Sequence, residues 1–203
     1  IVKAQVSFVT ECNAKSVVVG SSFQLTFRLN NAQGITFTPP SFDGFDLINC
    51  YASYIIEYCW SFRNGYKPHS IESSGGNGAG FKSGGYGMGD IKKVPNPIPQ
   101  HTVRYCLAYY NRQQGFYSNH HLGGLIFENN TAYKNPSNYN MLNRKSSNEA
   151  VDVPGYGHII KNNLSLSPRN SGGFPQHLIN VDNTLSEIKN NSFAPNDLNL
   201  SES

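Results

Sequence analysis

Short runs of alternating apolar and polar residues recur along most of the chain in one register. They read YIIEYCWSF (Tyr54 to Phe62), HTVRYCLAY (His101 to Tyr109), LIFENNTAY (Leu125 to Tyr133), HIIKNNLSL (His158 to Leu166) and LSEIKNNSF (Leu185 to Phe193), the last degenerate at its start. Alternation over so few residues predicts strands, and no helical periodicity lies between them. Aligned on the central Cys or Asn, the units place Cys59, Cys106, Asn130, Asn163 and Asn191 in one row. Cys106 and Asn130 are 24 residues apart, and the later steps are 33 and 28. Cys59 and Cys106 are 47 apart, close to twice 24, which predicts a missing middle rung near residue 82. A period of this size, with short strands and Asn-containing corners, marks a solenoid. Asparagine tolerates left-handed backbone at tight bends, and stacked asparagines can bond from coil to coil. The regular leucines of a leucine-rich repeat are missing. The expected fold is therefore all-β, a parallel β-helix. A β-sandwich with chance similarity among its Asn-Asn turns is the alternative.

The first forty residues follow another pattern. KSVVVGSSFQLTFRLNN (Lys15 to Asn31) alternates over two strand-length pieces broken by Gly-Ser-Ser, which predicts an antiparallel pair. GITFTPPSF then ends in a Pro-Pro break, so a boundary is expected at residue 40: a short antiparallel segment over 1–40 and a β-helix over 41–203.

Composition narrows the function classes. Of 203 residues only 14% are charged, while aromatics reach 12%, which fits a turn-rich extracytoplasmic β protein and excludes a disordered one. The net charge of +3 is spread without a block of like charge, so nucleic acid is not an expected partner, although an acidic polymer suits the sign. No apolar run is long enough to span a membrane. IVKAQVSF at the start reads as the tail of a signal peptide, and a secreted, periplasmic or cell-surface location is expected. Cys12, Cys50, Cys59 and Cys106 show no metal-binding spacing. Cys59 and Cys106 read as buried thiols.

The segment GGNGAGFKSGGYGMGD (Gly75 to Asp90) sets Lys82 among eight glycines. Lys82 is the only amine among them and the candidate acid or base there. The plain alternative is a mobile surface loop with a solvated lysine. Arg104 and Arg112 are candidates for meeting substrate carboxylates, against a solvated face. Lys92 and Lys93 are weaker candidates. His120 and His121 lack a third ligand for a metal and read as a polar turn. Trp60 reads as core.

DGFDLINCYASYIIEYCWSFRNGY, GNGAGFKSGG, HTVRYCLAYYNRQQGFYSNHHLGGLIFENNTAYKN and the closing IKNNSF resemble the family 9 polysaccharide lyases, the pectate lyases. The resemblance covers about four-fifths of the chain. It implies a right-handed parallel β-helix that cleaves polygalacturonate by calcium-assisted β-elimination, as a monomer, with a lysine base at the position of Lys82. It also implies a calcium site of aspartates. In FDGFD, Asp43 and Asp46 match two of them, and Phe42 stands where a third is expected. Two carboxylates are few for an ion that takes six to eight oxygens, so weak calcium binding and low activity are expected. Separately, residues 1–48 are similar to the start of the BatD-type aerotolerance proteins, which leaves an exported, non-catalytic binding or interaction protein as the alternative function.

Uronate chemistry explains why a lysine would serve. The carboxylate next to C5 makes that proton weakly acidic, and negative charge builds as the proton leaves. A neutral amine can take it. Lysine ionises near 10.4 in water, so an alkaline preference is expected. The glycines around Lys82 would then leave a low rim for a flat polymer.

Overall fold

The computed structural model describes residues 7–12, 25–30, 44–86, 94–169 and 176–194. Two compact units divide the chain, 1–40 and 41–203. In the first, β1 (Ser7–Cys12) pairs antiparallel with β2 (Leu25–Asn30); β2 falls in the second of the two expected strand pieces, whereas β1 lies upstream of the first, which is outside the described residues.

The second unit is a right-handed parallel β-helix, and the described residues contain no helical segment. Each coil contributes one strand to each of three parallel sheets. Coil 1 holds β3 (Phe45–Asp46), β4 (Ile55–Glu57) and β5 (Trp60–Phe62). Coil 2 holds β6 (Phe81–Lys82), β7 (Thr102–Arg104) and β8 (Leu107–Tyr109). Coil 3 holds β9 (Phe116–Tyr117), β10 (Ile126–Glu128) and β11 (Thr131–Tyr133). Coil 4 starts with β12 (Tyr139–Asn140), then extrudes an antiparallel hairpin, β13 (Leu142–Ser146) and β14 (Glu149–Pro154). It resumes with β15 (Ile159–Lys161) and β16 (Leu164–Leu166). Coil 5 holds β17 (Leu178–Ile179), β18 (Glu187–Lys189) and β19 (Ser192–Ala194).

The repeat register is realised with one correction. β4 pairs directly with β7 and β5 directly with β8, so no rung separates Cys59 from Cys106. The 47-residue step is a single coil with long excursions, and Lys82 lies within it on the sheet of β3, β6 and β9. Hydrogen bonding fixes the rise between rungs but leaves the length of an outward loop free.

The corners explain the Asn-rich units. Tyr58, Tyr105, Asn129, Asn162 and Asn190 all have φ between 54° and 56°. The next residue turns inward and carries the predicted row. Asn130 Oδ1 accepts from Cys106 N at 3.0 Å, Asn163 Oδ1 from Asn130 N at 2.9 Å, and Asn191 Oδ1 from Asn163 N at 2.9 Å. Each amide Nδ2 of Asn130, Asn163 and Asn191 donates to a carbonyl inside the coil. The two thiols continue the row. Cys106 is buried, as expected, and Cys59 is half-buried.

A second ladder occupies the next corner. Arg63, Tyr110 and Lys134 are left-handed there, and Asn64, Asn111 and Asn135 follow them. Asn111 Oδ1 accepts from Asn64 N at 3.1 Å, Asn135 Oδ1 from Asn111 N at 3.0 Å, and Asn138 Oδ1 ends the ladder on Asn135 N.

The core is a stack of like residues. Phe45, Phe81, Phe116 and Tyr139 are register partners whose rings lie parallel at 4.9 Å between centroids. Val103, Phe127 and Ile160 fill the second sheet. The third interior row is small: Ser61, Ala108, Ala132 and Ser165 are all buried. Trp60 corrects the expectation of a core residue. It faces outward on β5 and is 71% exposed, because Ser61 beside it takes the interior position.

Candidate functional site

Along the sheet of β3, β6, β9, β12 and β17, interior rings alternate with an outward row. That row is Asp46, Lys82, Tyr117, Asn140 and Ile179 in consecutive rungs. Asp46 and Lys82 are register partners, and Lys82 Nζ lies 3.3 Å from Asp46 Oδ2. Asp46 Oδ1 accepts from Ile48 N at 3.0 Å. The Lys82 side chain is only 12% exposed although it points away from the core. The structure thus brings together two of the residues expected at the site. Asp43 and Phe42 lie outside the described residues, as do Lys92 and Lys93.

The glycines around Lys82 serve coil packing. A Cβ on Gly80 would stand 2.6 Å from the Gly115 carbonyl of the next coil. A Cβ on Gly84 would stand 2.6 Å from His121 Nδ1. The next coil crowds the backbone on both sides of β6, with the Gly115 carbonyl before it and the His121 ring after it, which fixes where Lys82 sits.

Arg112 and Arg104 stand apart from this row. The Arg112 guanidinium bonds the carbonyls of Gly76 and Asn77 and supports the glycine loop from beneath. Arg104 belongs to the sheet of β4, β7 and β10. It pairs with its register partner Glu57, with Nε and Nη2 at 2.7 and 2.6 Å from Oε2. The Glu57 bond, and the charge behind it, push the guanidinium further up.

One arrangement was not legible in the sequence. Tyr117 Oη lies 2.8 Å from His120 Nε2, and His120 Nδ1 lies 2.6 Å from Asp152 Oδ1 on the β13–β14 hairpin. Arg144 of the same hairpin donates to the Tyr86 carbonyl at 3.0 Å, so the hairpin arches over the segment after Lys82. Only Asn119-His120-His121, read as a polar turn, pointed there. That reading holds for His121, which is buried and accepts from Gly85 N at Nδ1. Burial and the neighbouring His101 and His158 bring His121 down to about 4, against the help of its bond to the Pro99 carbonyl.

Among the described residues no group of three His, Cys, Asp or Glu side chains could hold a metal. They supply one carboxylate to this site, Asp46, already engaged by an ammonium and an amide. A calcium cage of six to eight oxygens is not met by these residues on their own.

Comparison with known proteins places the chain. The model of the Pel9A-like right-handed β-helix region matches residues 30–163. Pectate lyase L of Dickeya chrysanthemi is 37% identical over 125 residues, covering 62% of this chain and 26% of that protein. Pectate lyase L of Dickeya dadantii is 35% identical over a stretch of the same length. A solved rhamnogalacturonan lyase is 55% identical with a TM-score of 0.67, covering 75% of this chain and 36% of that one. The structure of pectate lyase Pel9A is 31% identical with a TM-score of 0.51, covering 74% and 31%. The chain therefore spans about a quarter of the length of the curated relatives.

Proposed function

The chain belongs to the Pel9A-like right-handed β-helix family, and from that premise we propose that it bears the proton-abstracting part of a pectic lyase site, with Lys82 as base. The observation that carries this reading is the Lys82–Asp46 pair at 3.3 Å on the outward row. A lysine fixed beside a carboxylate on a flat sheet face can meet the C5–H of a uronate lying along that face. Lys82 Nζ takes that proton, the C5–H electron pair forms a C4=C5 double bond, and the C4–O bond breaks. The amine must be neutral to act, and a lysine ionises near 10.4 in water. Activity is therefore low at neutral pH and rises toward alkaline pH. Calcium binding at Asp46, with Asp43, is weak for want of further ligands. The protein works outside the cytoplasm; among the described residues no helix is long and apolar enough to cross a membrane.

The substrate is a galacturonate-containing pectic backbone. Homogalacturonan follows from the pectate lyase relatives. The higher identity to a rhamnogalacturonan lyase, 55% against 31–37%, supports the alternating rhamnose–galacturonate backbone as well. The test is the ultraviolet absorbance of the unsaturated product from each polysaccharide, across neutral to alkaline pH. The expected outcome is product that disappears in Lys82→Ala. Absence of product from both polymers at every pH would leave the chain a non-catalytic β-helix.

A further inference from the structure

The first asparagine ladder stops one coil short. In the rungs of Asn130, Asn163 and Asn191, each Oδ1 accepts from a backbone amide of the coil before. The second ladder continues into coil 1, where Asn111 Oδ1 accepts from Asn64 N. The first cannot, because residue 106 is a cysteine with no amide oxygen to offer the Cys59 amide. β4 pairs with β7 and β5 with β8 at one common offset, so the register runs unbroken through the corner between them. There Tyr58 and Tyr105 stack on the outside at 5.1 Å, and Cys59 and Cys106 stand inside at equivalent positions of adjacent rungs. Leu107 N donates to Cys59 O at 2.9 Å directly beside them. Cys106 Sγ reaches back to the Ile56 carbonyl of coil 1 at 3.7 Å, and the two thiols are hydrogen-bonded to each other. Neighbouring parallel strands lie about 4.8 Å apart, inside the roughly 4.4–6.8 Å between Cα atoms that a disulfide spans. Cys50 lies at a different corner, where its carbonyl accepts from Tyr86 Oη.

We infer that Cys59 and Cys106 are a disulfide site, closed by exchange with a disulfide oxidant, that staples coil 1 to coil 2. The Cys59 thiolate attacks one sulfur of the oxidant, whose S–S bond breaks and releases a first thiolate. Cys106 then gives up its proton and attacks Cys59 Sγ, which releases a second thiolate. Two cysteine thiols are oxidised to one S–S bond, the oxidant is reduced to two thiols, and the two cysteine protons end on them. The order follows exposure, since Cys59 is half-buried and Cys106 is buried. Burial raises both thiols, Cys106 to about 12, so little thiolate is present at neutral pH; closure is slow there and faster at alkaline pH. The bond takes the place of the missing asparagine rung. It also removes freedom from the unfolded chain between two residues 47 apart. Compartments outside the cytoplasm, where this chain is proposed to work, keep such bonds closed.

The test incubates the folded full chain with oxidised glutathione at alkaline pH, traps the remaining thiols by alkylation, and cleaves the unfolded product after Lys, Arg and Glu. Cleavage after Glu57 parts Cys59 from Cys50. The expected product in mass spectrometry is the peptide Tyr58–Arg63 joined to Tyr105–Arg112. It should vanish on reduction, be missing from Cys59→Ser and persist in Cys50→Ser. Oxidation is expected to raise the urea midpoint by about 1 M, a shift that Cys59→Ser loses and Cys50→Ser keeps. Recovery of Cys59 and Cys106 as alkylated thiols or glutathione adducts, or joined to Cys12 or Cys50, would overturn the site. A Cys59–Cys106 link that leaves the midpoint unchanged would overturn its role as a staple.

Discussion

Replacing Asn130 by alanine tests whether the corner ladder holds the coils together. Asn130 is 1% exposed and stands in the middle of its row. Its Oδ1 is the acceptor for Cys106 N at 3.0 Å, and its Nδ2 donates to Val103 O at 2.8 Å and to Asn163 Oδ1 at 3.1 Å. Alanine leaves the buried Cys106 amide without its partner, removes a donor from the Val103 carbonyl and breaks one link to the next coil. An orphaned buried amide costs about 1–3 kcal/mol and each lost bond about 1 kcal/mol, against some recovery because the asparagine amide no longer has to be desolvated. The net loss is roughly 3 kcal/mol. Asn191, at the end of the row and half-buried, loses as many bonds, but its site is less shielded from water, so Asn191→Ala should cost less. Equilibrium urea unfolding followed by far-ultraviolet circular dichroism measures both. A loss below about 1 kcal/mol for Asn130→Ala, or a larger one for Asn191→Ala, would refute the ladder as a source of stability.

Three further outcomes follow from the same structure. His121 and His158 are buried, and burial lowers both from 6.5 to about 4. The unfolded chain then binds more protons between those values, so stability is full above about 6.5 and falls as pH drops toward 4, by on the order of 3 kcal/mol per histidine; His158→Gln should flatten the urea midpoint against pH in that window. Arg104→Ala should leave any lyase activity unchanged, because Arg104 sits on a different sheet from Lys82; a large rise in KM would place substrate on that sheet. Phe42→Asp should strengthen calcium binding in calorimetry if the position lies beside Asp46, and no gain would mean that a missing carboxylate at 42 is not what limits the site.

The repeating corner was legible in the sequence because its chemistry is local. A left-handed residue followed by an inward Asn or Cys is written in adjacent letters, so the row Cys59, Cys106, Asn130, Asn163 and Asn191 could be aligned without coordinates. The second ladder was equally local, in FRN (Phe62 to Asn64), YYN (Tyr109 to Asn111) and YKN (Tyr133 to Asn135), but tyrosine and lysine at left-handed positions gave no signal. The lysine among glycines was legible as well. What it faces was only partly so, since Asp46 lies 36 residues away and its pairing depends on loop lengths. Only the tertiary structure counted the coils between Cys59 and Cys106, because the stack constrains the strands and leaves the loops free. It also decided which parity of β5 faces inward. Trp60, Ser61 and Phe62 alternate, and the aromatic stack of Phe45, Phe81, Phe116 and Tyr139 leaves room only for a small residue opposite. The Tyr117–His120–Asp152 chain was invisible for the same reason. Its carboxylate arrives on a hairpin inserted 32 residues beyond the histidine, and only the stacking of coil on coil brings that hairpin over the row that holds Lys82.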